Sequence, residues 1–236
     1  MKILGIDSCT KACGASLYED GKITASFTVN NALTHSQTLL PTIKNMLNEA
    51  NLELKNMDYI AVSVGPGSFT GIRIGLATAK GLAHSNDIPM IGVSTLESLA
   101  YNIPFFEGII CPCLDARRNQ VYNALFKFED GVLRRLTPDR AISASDLTEE
   151  LKAYNETIAF IGDGSHIGYN SAKDVLKSVH ISANLNFVNS ASVCMAAANE
   201  LTLCTFRPLQ YNEINPVYLR LSQAEREKLE KEGKEI

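Results

Sequence analysis

The stretch VGPGSFTGIRIGLATAKGLA, residues 64–83, decides how this chain folds, and it admits two readings. It is either a glycine loop cradling phosphate where a strand meets a helix N-terminus, or a helix stripped of side chains so that another backbone can lie against it. Spacing disfavours the first reading. A Walker loop requires GxxxxGK followed by Ser or Thr, and here Gly71 is followed by Ile72 and Arg73; a dinucleotide fingerprint requires GxGxxG, and here the run is Gly65-x-Gly67-x-x-x-Gly71. Wound as a helix of 3.6 residues per turn, the segment places Gly71, Gly75 and Ala79 in one i, i+4 row. Gly67 and Ala83 extend that row, and Ile72 and Leu76 fill the sector beside it. Ile74, Thr78, Gly81 and Leu82 form the other flank, leaving Arg73, Lys80 and His84 as a narrow polar stripe. A helix apolar or small over so wide an arc must be covered on two sides. Each interior glycine costs about 1 kcal/mol relative to alanine, so a close backbone approach is the expected compensation. The approaching backbone is either the chain's own, from its second half or from a helix around Leu39 and Ile43, or that of another subunit.

Outward from this segment the pattern is α/β. Residues 2–9, 12–19 and 22–30 are three short apolar runs, the last two joined by Asp20-Gly21, which predicts an antiparallel meander. In residues 35–51, Leu39, Leu40, Ile43, Met46, Leu47 and Ala50 recur at helix spacing. A buried strand at 59–64, the small-residue helix at 68–86, a strand at 89–94 and a short helix at 95–101 complete the first half. The second half opens with strands at 108–116, 121–130 and 131–136, a capped helix at 145–154, a strand at 157–162 and a helix at 190–206. The similar order of the halves predicts a duplication, divided into 1–104, 105–222 and a charged tail at 223–236.

Composition narrows the function. The 236 residues are 45% apolar, enough for a large core. Net charge is -4 with basic residues dispersed along the chain, so nothing in the sequence forms the Lys/Arg stripe of a protein that grips nucleic acid unaided. The N-terminus lacks a signal-peptide pattern and no run approaches the roughly 18 apolar residues of a membrane span, which makes a cytoplasmic address, without membrane contact, the expectation. Cys9, Cys13, Cys111, Cys113, Cys194 and Cys204 are scattered without CxxC pairs and read as reduced core thiols.

Several motifs taken together carry a resemblance. GIDSC at the start, THSQTLLP at 34–41, GPGSFTGIRIG, STLESLA at 94–100, LDARRNQVY at 114–122 and NPVYLR at 215–220 resemble the bacterial TsaB family, formerly called YeaZ, over nearly the whole chain. The resemblance implies two ribonuclease-H-like domains of the actin, hexokinase and Hsp70 (ASKHA) type, with mixed sheets flanked by helices. It implies a non-catalytic dimerisation subunit that, with TsaD and TsaE, supports transfer of a threonylcarbamoyl group to N6 of the adenosine beside the anticodon of tRNA. On this reading tRNA is met only through the complex. The catalytic relative TsaD carries an HxxxH metal motif where this chain has Thr95 and Leu99, side chains that cannot replace imidazole ligands. The resemblance also implies a four-helix contact through helices 35–51 and 68–86, engaging His35, Leu39, Ile43, Gly67, Gly71, Ile72, Arg73, Gly75, Leu76, Ala79 and Ala83. A homodimer through the same face would compete with the TsaD heterodimer.

Other chemistry is weaker. Asp7, with Ser8 and Thr10 in the following turn, sits where actin-like proteins hold magnesium and nucleotide phosphates, though Lys11-Ala12 lacks a Gly-rich approach. The chain is expected to have no cofactor or metal of its own, with ATP or ADP at the complex interface; a stand-alone actin-fold ATPase or phosphotransferase is the alternative. Gly162-Asp163-Gly164-Ser165 is a second, fainter phosphate candidate. Asp115, Arg117 and Arg118 read as a buried ion pair ordering the interdomain turn, or as contacts to a partner or to tRNA phosphate. His166 and His180 read as isolated.

Overall fold

The computed structural model describes residues 1–31, 33–203 and 207–220. Cys204, the end of the helix expected at 190–206, and the charged tail expected at 223–236 lie outside the described residues.

The first sheet contains the meander β1 (Lys2–Asp7), β2 (Cys13–Glu19) and β3 (Lys22–Val29), with Asp20 and Gly21 both at positive φ in the β2–β3 turn. After α1 (His35–Glu49), β4 (Tyr59–Gly65) pairs parallel to β1. Then α2 (Phe69–Asn86) crosses to β5 (Met90–Ser94), which runs parallel to β4. The order is β3-β2-β1-β4-β5.

The second half repeats this plan after a short helix, α3 (Thr95–Ala100). Strand β6 (Ile109–Arg117) pairs antiparallel to β7 (Gln120–Asn123), and a hairpin of β8 (Phe126–Glu129) and β9 (Val132–Arg135) leaves the main path. Next come β10 (Arg140–Ser143), α4 (Ala144–Leu151), β11 (Ile158–Ile161), α5 (Ser165–Ala172), β12 (Ser178–His180) and α6 (Ser190–Thr202). The main path runs β10-β7-β6-β11-β12, with β11 and β12 parallel to β6. Third, second, first, fourth, fifth is therefore the strand order in both sheets, and the sense of each pairing matches.

One expected strand is cut in two. Residues 121–130 read as continuous, yet the buried Asn123 donates its side-chain amide to the carbonyls of Pro112 at 3.0 Å and Ala124 at 3.1 Å. The Leu125 amide then bonds the Thr137 hydroxyl at 2.8 Å rather than a strand partner. A polar side chain competing for backbone groups ends the ladder, and the chain resumes as the β8–β9 hairpin.

Helices α1 and α2 cover one face of the first sheet, with Leu39, Ile43, Met46, Ile72 and Leu76 packed on Leu4, Ile6, Leu17 and Val62. The opposite face is covered by α6 from the second half, whose Val193, Cys194 and Ala197 share a core with Ile3, Ala61 and Ile91. In return, α3 from the first half packs its Leu96 and Leu99 into the core that includes Ile110 and Leu114 of β6. Packing therefore does not respect a cut between residues 104 and 105, since each half supplies a helix to the other's sheet.

Gly5 is what lets α6 lie so close to β1. A Cβ at Gly5 would stand 2.6 Å from the Ser190 carbonyl oxygen and overlap the Cys194 sulfur. Gly5→Ala is expected to lower unfolding free energy by about 1–3 kcal/mol, the usual cost of overpacking, as read from the urea midpoint. An unchanged midpoint would show that α6 withdraws freely and that this contact constrains nothing.

Candidate functional site

The β1–β2 turn, Ser8 to Ala12, is the hub from which the site is built. Ser68 caps α2, its hydroxyl accepting from the Gly71 amide at 3.2 Å, while its own amide donates to the Cys9 carbonyl at 2.8 Å. The preceding Gly65–Pro66 peptide is cis. A Cβ at Gly67 would overlap the Cys9 carbonyl, one at Gly71 the Ser8 carbonyl, and one at Gly75 the Ser8 hydroxyl. That hydroxyl donates to the Gly71 carbonyl at 2.8 Å. The small-residue ridge does face a backbone, and the backbone is the chain's own.

This corrects the expected interface. Gly71, Ile72, Gly75, Leu76, Ala79 and Ala83 are all buried within the chain, as are Leu39 and Ile43 of α1. Half-buried His35 points inward as well, donating from Nε2 to the Thr10 carbonyl at 2.7 Å. Of the expected set only Arg73 is exposed. Its guanidinium lies 3.8 Å above the Phe69 ring centroid, and its Nε donates to the Tyr218 hydroxyl at 2.9 Å. The solvent-exposed residues of the two helices include instead Gln37, Leu40, Lys44, Arg73, Ala77 and Gly81, with Ile74 and Thr78 half-buried.

The nucleotide residues divide. Asp7 and Ser8 are each 1% exposed and are sealed beneath the turn, out of reach of a ligand, while Thr10 lines a cleft between the two sheets. Burial pushes the Asp7 carboxyl up to about 6, opposed by the Ser63 hydroxyl, the Cys9 amide and the charge of His35. Thr95 and Leu99, at the positions of the relative's histidines, are both 0% exposed on α3. Among the described residues no group of three or more His, Cys, Asp or Glu is placed to hold a metal ion.

The cleft encloses about 730 Å³. Lys11, Phe69 and Thr70 line it from the first half; Asp115, Arg117, Tyr122 and Asp163 line it from the second. Residues 215–220 run across its mouth. In that segment the Val217 amide donates to the Val64 carbonyl at 2.8 Å, the Tyr218 ring stacks on Phe69 at 4.8 Å, and Arg220 Nη1 donates to the Ala116 carbonyl at 2.6 Å. The motif at 215–220 carries family resemblance in the sequence but no visible role there, because its partners lie far away in the chain.

Of the group Asp115, Arg117 and Arg118, expected to hold a buried ion pair, Asp115 and Arg117 form none with each other among the described residues. Both are exposed, and the carboxylate instead accepts the Arg117 backbone amide at 2.7 Å, shaping the β6–β7 turn. In this turn Arg117, Arg118 and Asn119 have φ of 64°, 55° and 56°, a region that costs L-residues other than Gly and Asn roughly 1–2 kcal/mol each. The Asp163 carboxylate accepts the Asp115 amide at 3.2 Å. Desolvation in the cleft raises its carboxyl above the ordinary value, while the Asp115 amide and Lys11 pull it down. His180, expected to be isolated, is exposed but lies with Nε2 at 2.9 Å from the Ser165 hydroxyl and packs against Tyr169.

Two sheets of matching order, helices exchanged between them and a cleft where they meet define a duplicated, actin-like protein of the ribonuclease-H-like class. The family model described as "TsaD: tRNA N6-adenosine threonylcarbamoyltransferase" matches residues 28–234. The tRNA threonylcarbamoyladenosine biosynthesis protein TsaB of Bacillus subtilis (strain 168) is 33% identical over 227 residues, 95% of this chain and 96% of its own length. That of Escherichia coli (strain K12) is 33% identical over 167 residues, covering 70% and 72%. The solved structure of YeaZ from Pseudomonas aeruginosa superposes with a TM-score of 0.76 at 25% identity, covering 92% of this chain and 99% of the other. This chain belongs to the TsaB family.

The buried carboxyl at Asp7 gives a test of the sealed turn. Its folded value of about 6 exceeds the ordinary 3.8, so the folded state holds this proton more tightly than the unfolded chain. The resulting destabilisation is absent below pH 4, grows between pH 4 and 6, and is complete above pH 6, reaching about 3 kcal/mol at most. Asp7→Asn is expected to unfold at higher urea than the parent at pH 7.5 and at nearly the same urea at pH 4. A variant less stable at pH 7.5 would show that the ionised carboxylate is well accommodated.

Proposed function

We propose that this chain is a non-catalytic docking subunit of the machinery that transfers a threonylcarbamoyl group to N6 of the adenosine beside the tRNA anticodon. It acts in the cytoplasm by pairing with a TsaD-type protein, with TsaE joining the pair. Its relatives, tRNA threonylcarbamoyladenosine biosynthesis proteins, support the pathway. The observation that supports the docking role is the outward face of α1 and α2. There Leu40 is 52% exposed, and a Cβ at Gly81 would meet nothing within 4 Å. A helix glycine with no internal contact to relieve costs stability without return in the monomer, and beside Ala77 it leaves a shallow surface that admits a second helix pair. Burial of Thr95 and Leu99 supports the absence of TsaD-type chemistry. Any ATP or ADP belongs to the joint interface, and a homodimer through the same face competes with the heterodimer.

The alternative, a stand-alone ATPase, would place magnesium and phosphate on Asp7 and Ser8, which the turn seals off.

Gly81→Arg and Ala77→Arg are expected to abolish one-to-one assembly with the TsaD-type protein of the same organism, by light scattering after size exclusion, while circular dichroism stays that of the parent. Gly75→Arg would instead unfold the chain, because its Cβ site is occupied by Ser8. Co-elution of both outer-face variants with the partner would defeat the proposal.

A further inference from the structure

We propose that the mouth of the cleft between the two sheets is a contact surface for single-stranded RNA, engaging phosphates through Lys11, Arg117 and Arg220 and a base through Tyr218. The inference rests on the proposed role in tRNA modification and adds to it a direct contact between this subunit and the nucleic acid.

The chain is acidic overall, yet three cations from distant parts of the sequence converge on this cleft. Lys11 comes from the β1–β2 turn, Arg117 from the β6–β7 turn and Arg220 from the crossing segment. Lys11 and Arg117 are exposed, one on each wall. Arg117 is the last residue of β6 and opens a turn of three consecutive residues at positive φ.

Aromatic surface lies beside these charges. Tyr218 is 39% exposed, with one side of its ring stacked on Phe69 and its hydroxyl held by Arg73. A ring fixed in this way, with cations around it, is the combination on which proteins stack unpaired bases while tracking the backbone.

The distribution of charge favours a strand over a compact ligand. Asp115 and Asp163 occupy the second-half wall, each committed to a backbone amide, and they oppose a dense polyphosphate in the depth of the cleft. Asp7, the carboxylate at the position where actin-like proteins hold magnesium, is sealed away from it. A strand lying across the mouth meets the cations and keeps its phosphates away from the acidic wall.

The test is fluorescence anisotropy with a labelled anticodon stem-loop RNA, titrated with this chain alone and with its complex with the TsaD-type protein, at several salt concentrations. Lys11→Gln, Arg117→Gln and Arg220→Gln are each expected to weaken binding about three- to tenfold. Each should also flatten the slope of log K against log salt by about 0.7, the value per phosphate for single strands. Tyr218→Leu is expected to weaken binding about tenfold, while Tyr218→Phe, which keeps the ring and loses the bond to Arg73, binds as the parent does. That contrast separates stacking from mere support of the fold. Light scattering on the same samples reports assembly separately, so loss of the partner is distinguished from loss of RNA. Unchanged affinity and salt slope in the triple cation variant would overturn the inference. So would failure of both chain and complex to bind RNA, or protection of the cleft by AMP or inorganic phosphate without RNA binding.

Discussion

Ser8 is held against the first two turns of α2 from both sides. Its carbonyl fills the space where Gly71 lacks a side chain, its hydroxyl fills that of Gly75, and the same hydroxyl bonds the Gly71 carbonyl. The neighbouring Cys9 carbonyl takes the Ser68 amide, and the Thr10 carbonyl takes His35 at the start of α1. One turn thereby fixes the depth and rotation of both helices on the first sheet. Two helical glycines at about 1 kcal/mol each are offset by the burial that this seating permits. Ile72 and Leu76 lie in the core, and each such side chain contributes roughly 1.5–3 kcal/mol. With the inner face of α2 determined in this way, the outer face follows: Arg73, Ala77 and Gly81 must point to solvent.

Much of this was legible in the sequence. Periodicity alone locates α1, α2, β4 and the meander, because long apolar patterns of period 3.6 or 2 reflect burial on one face. The ridge was legible too, as a demand for a close backbone. What spacing cannot convey is which backbone answers. The row Gly67, Gly71, Gly75 records how near something comes, and the Ser8–Cys9 turn that comes near is some sixty positions upstream. The family resemblance implies a contact through α1 and α2, but which residues of those helices face inward and which face solvent is decided only by the fold.

The elements that sequence pattern does not reveal share a cause. Strands β10 and β12 are four and three residues long, and α5 is eight. None is long enough to establish a period, and all are held by neighbours rather than by propensity. Asn123 broke a run that its flanking apolar residues made to look continuous, because side-chain capture of carbonyls depends on the position of Pro112 in another strand. The cations of the cleft were read as dispersed for the same reason. Lys11, Arg117 and Arg220 are far apart in the chain and become a group only when the two sheets face each other.

The exchange of helices gives that grouping its rigidity. Because α3 is packed into the core of the second sheet and α6 onto the first, the two sheets share one continuous core behind the cleft. Separating them would strip apolar surface from both helices at once. The mouth has no such core and is spanned by residues 215–220, which touch the first half through Val64, Phe69 and Arg73 and the second through Ala116. The joint is thus buried at the back and tied at the front by a few hydrogen bonds and one stacked ring. The crossing segment therefore bridges the two halves in front, and Arg73 links it to the outer face of α2. Through this one bond the solvent face of α2 and the segment that bridges the two halves are tied together, so neither moves without straining the Arg73–Tyr218 contact.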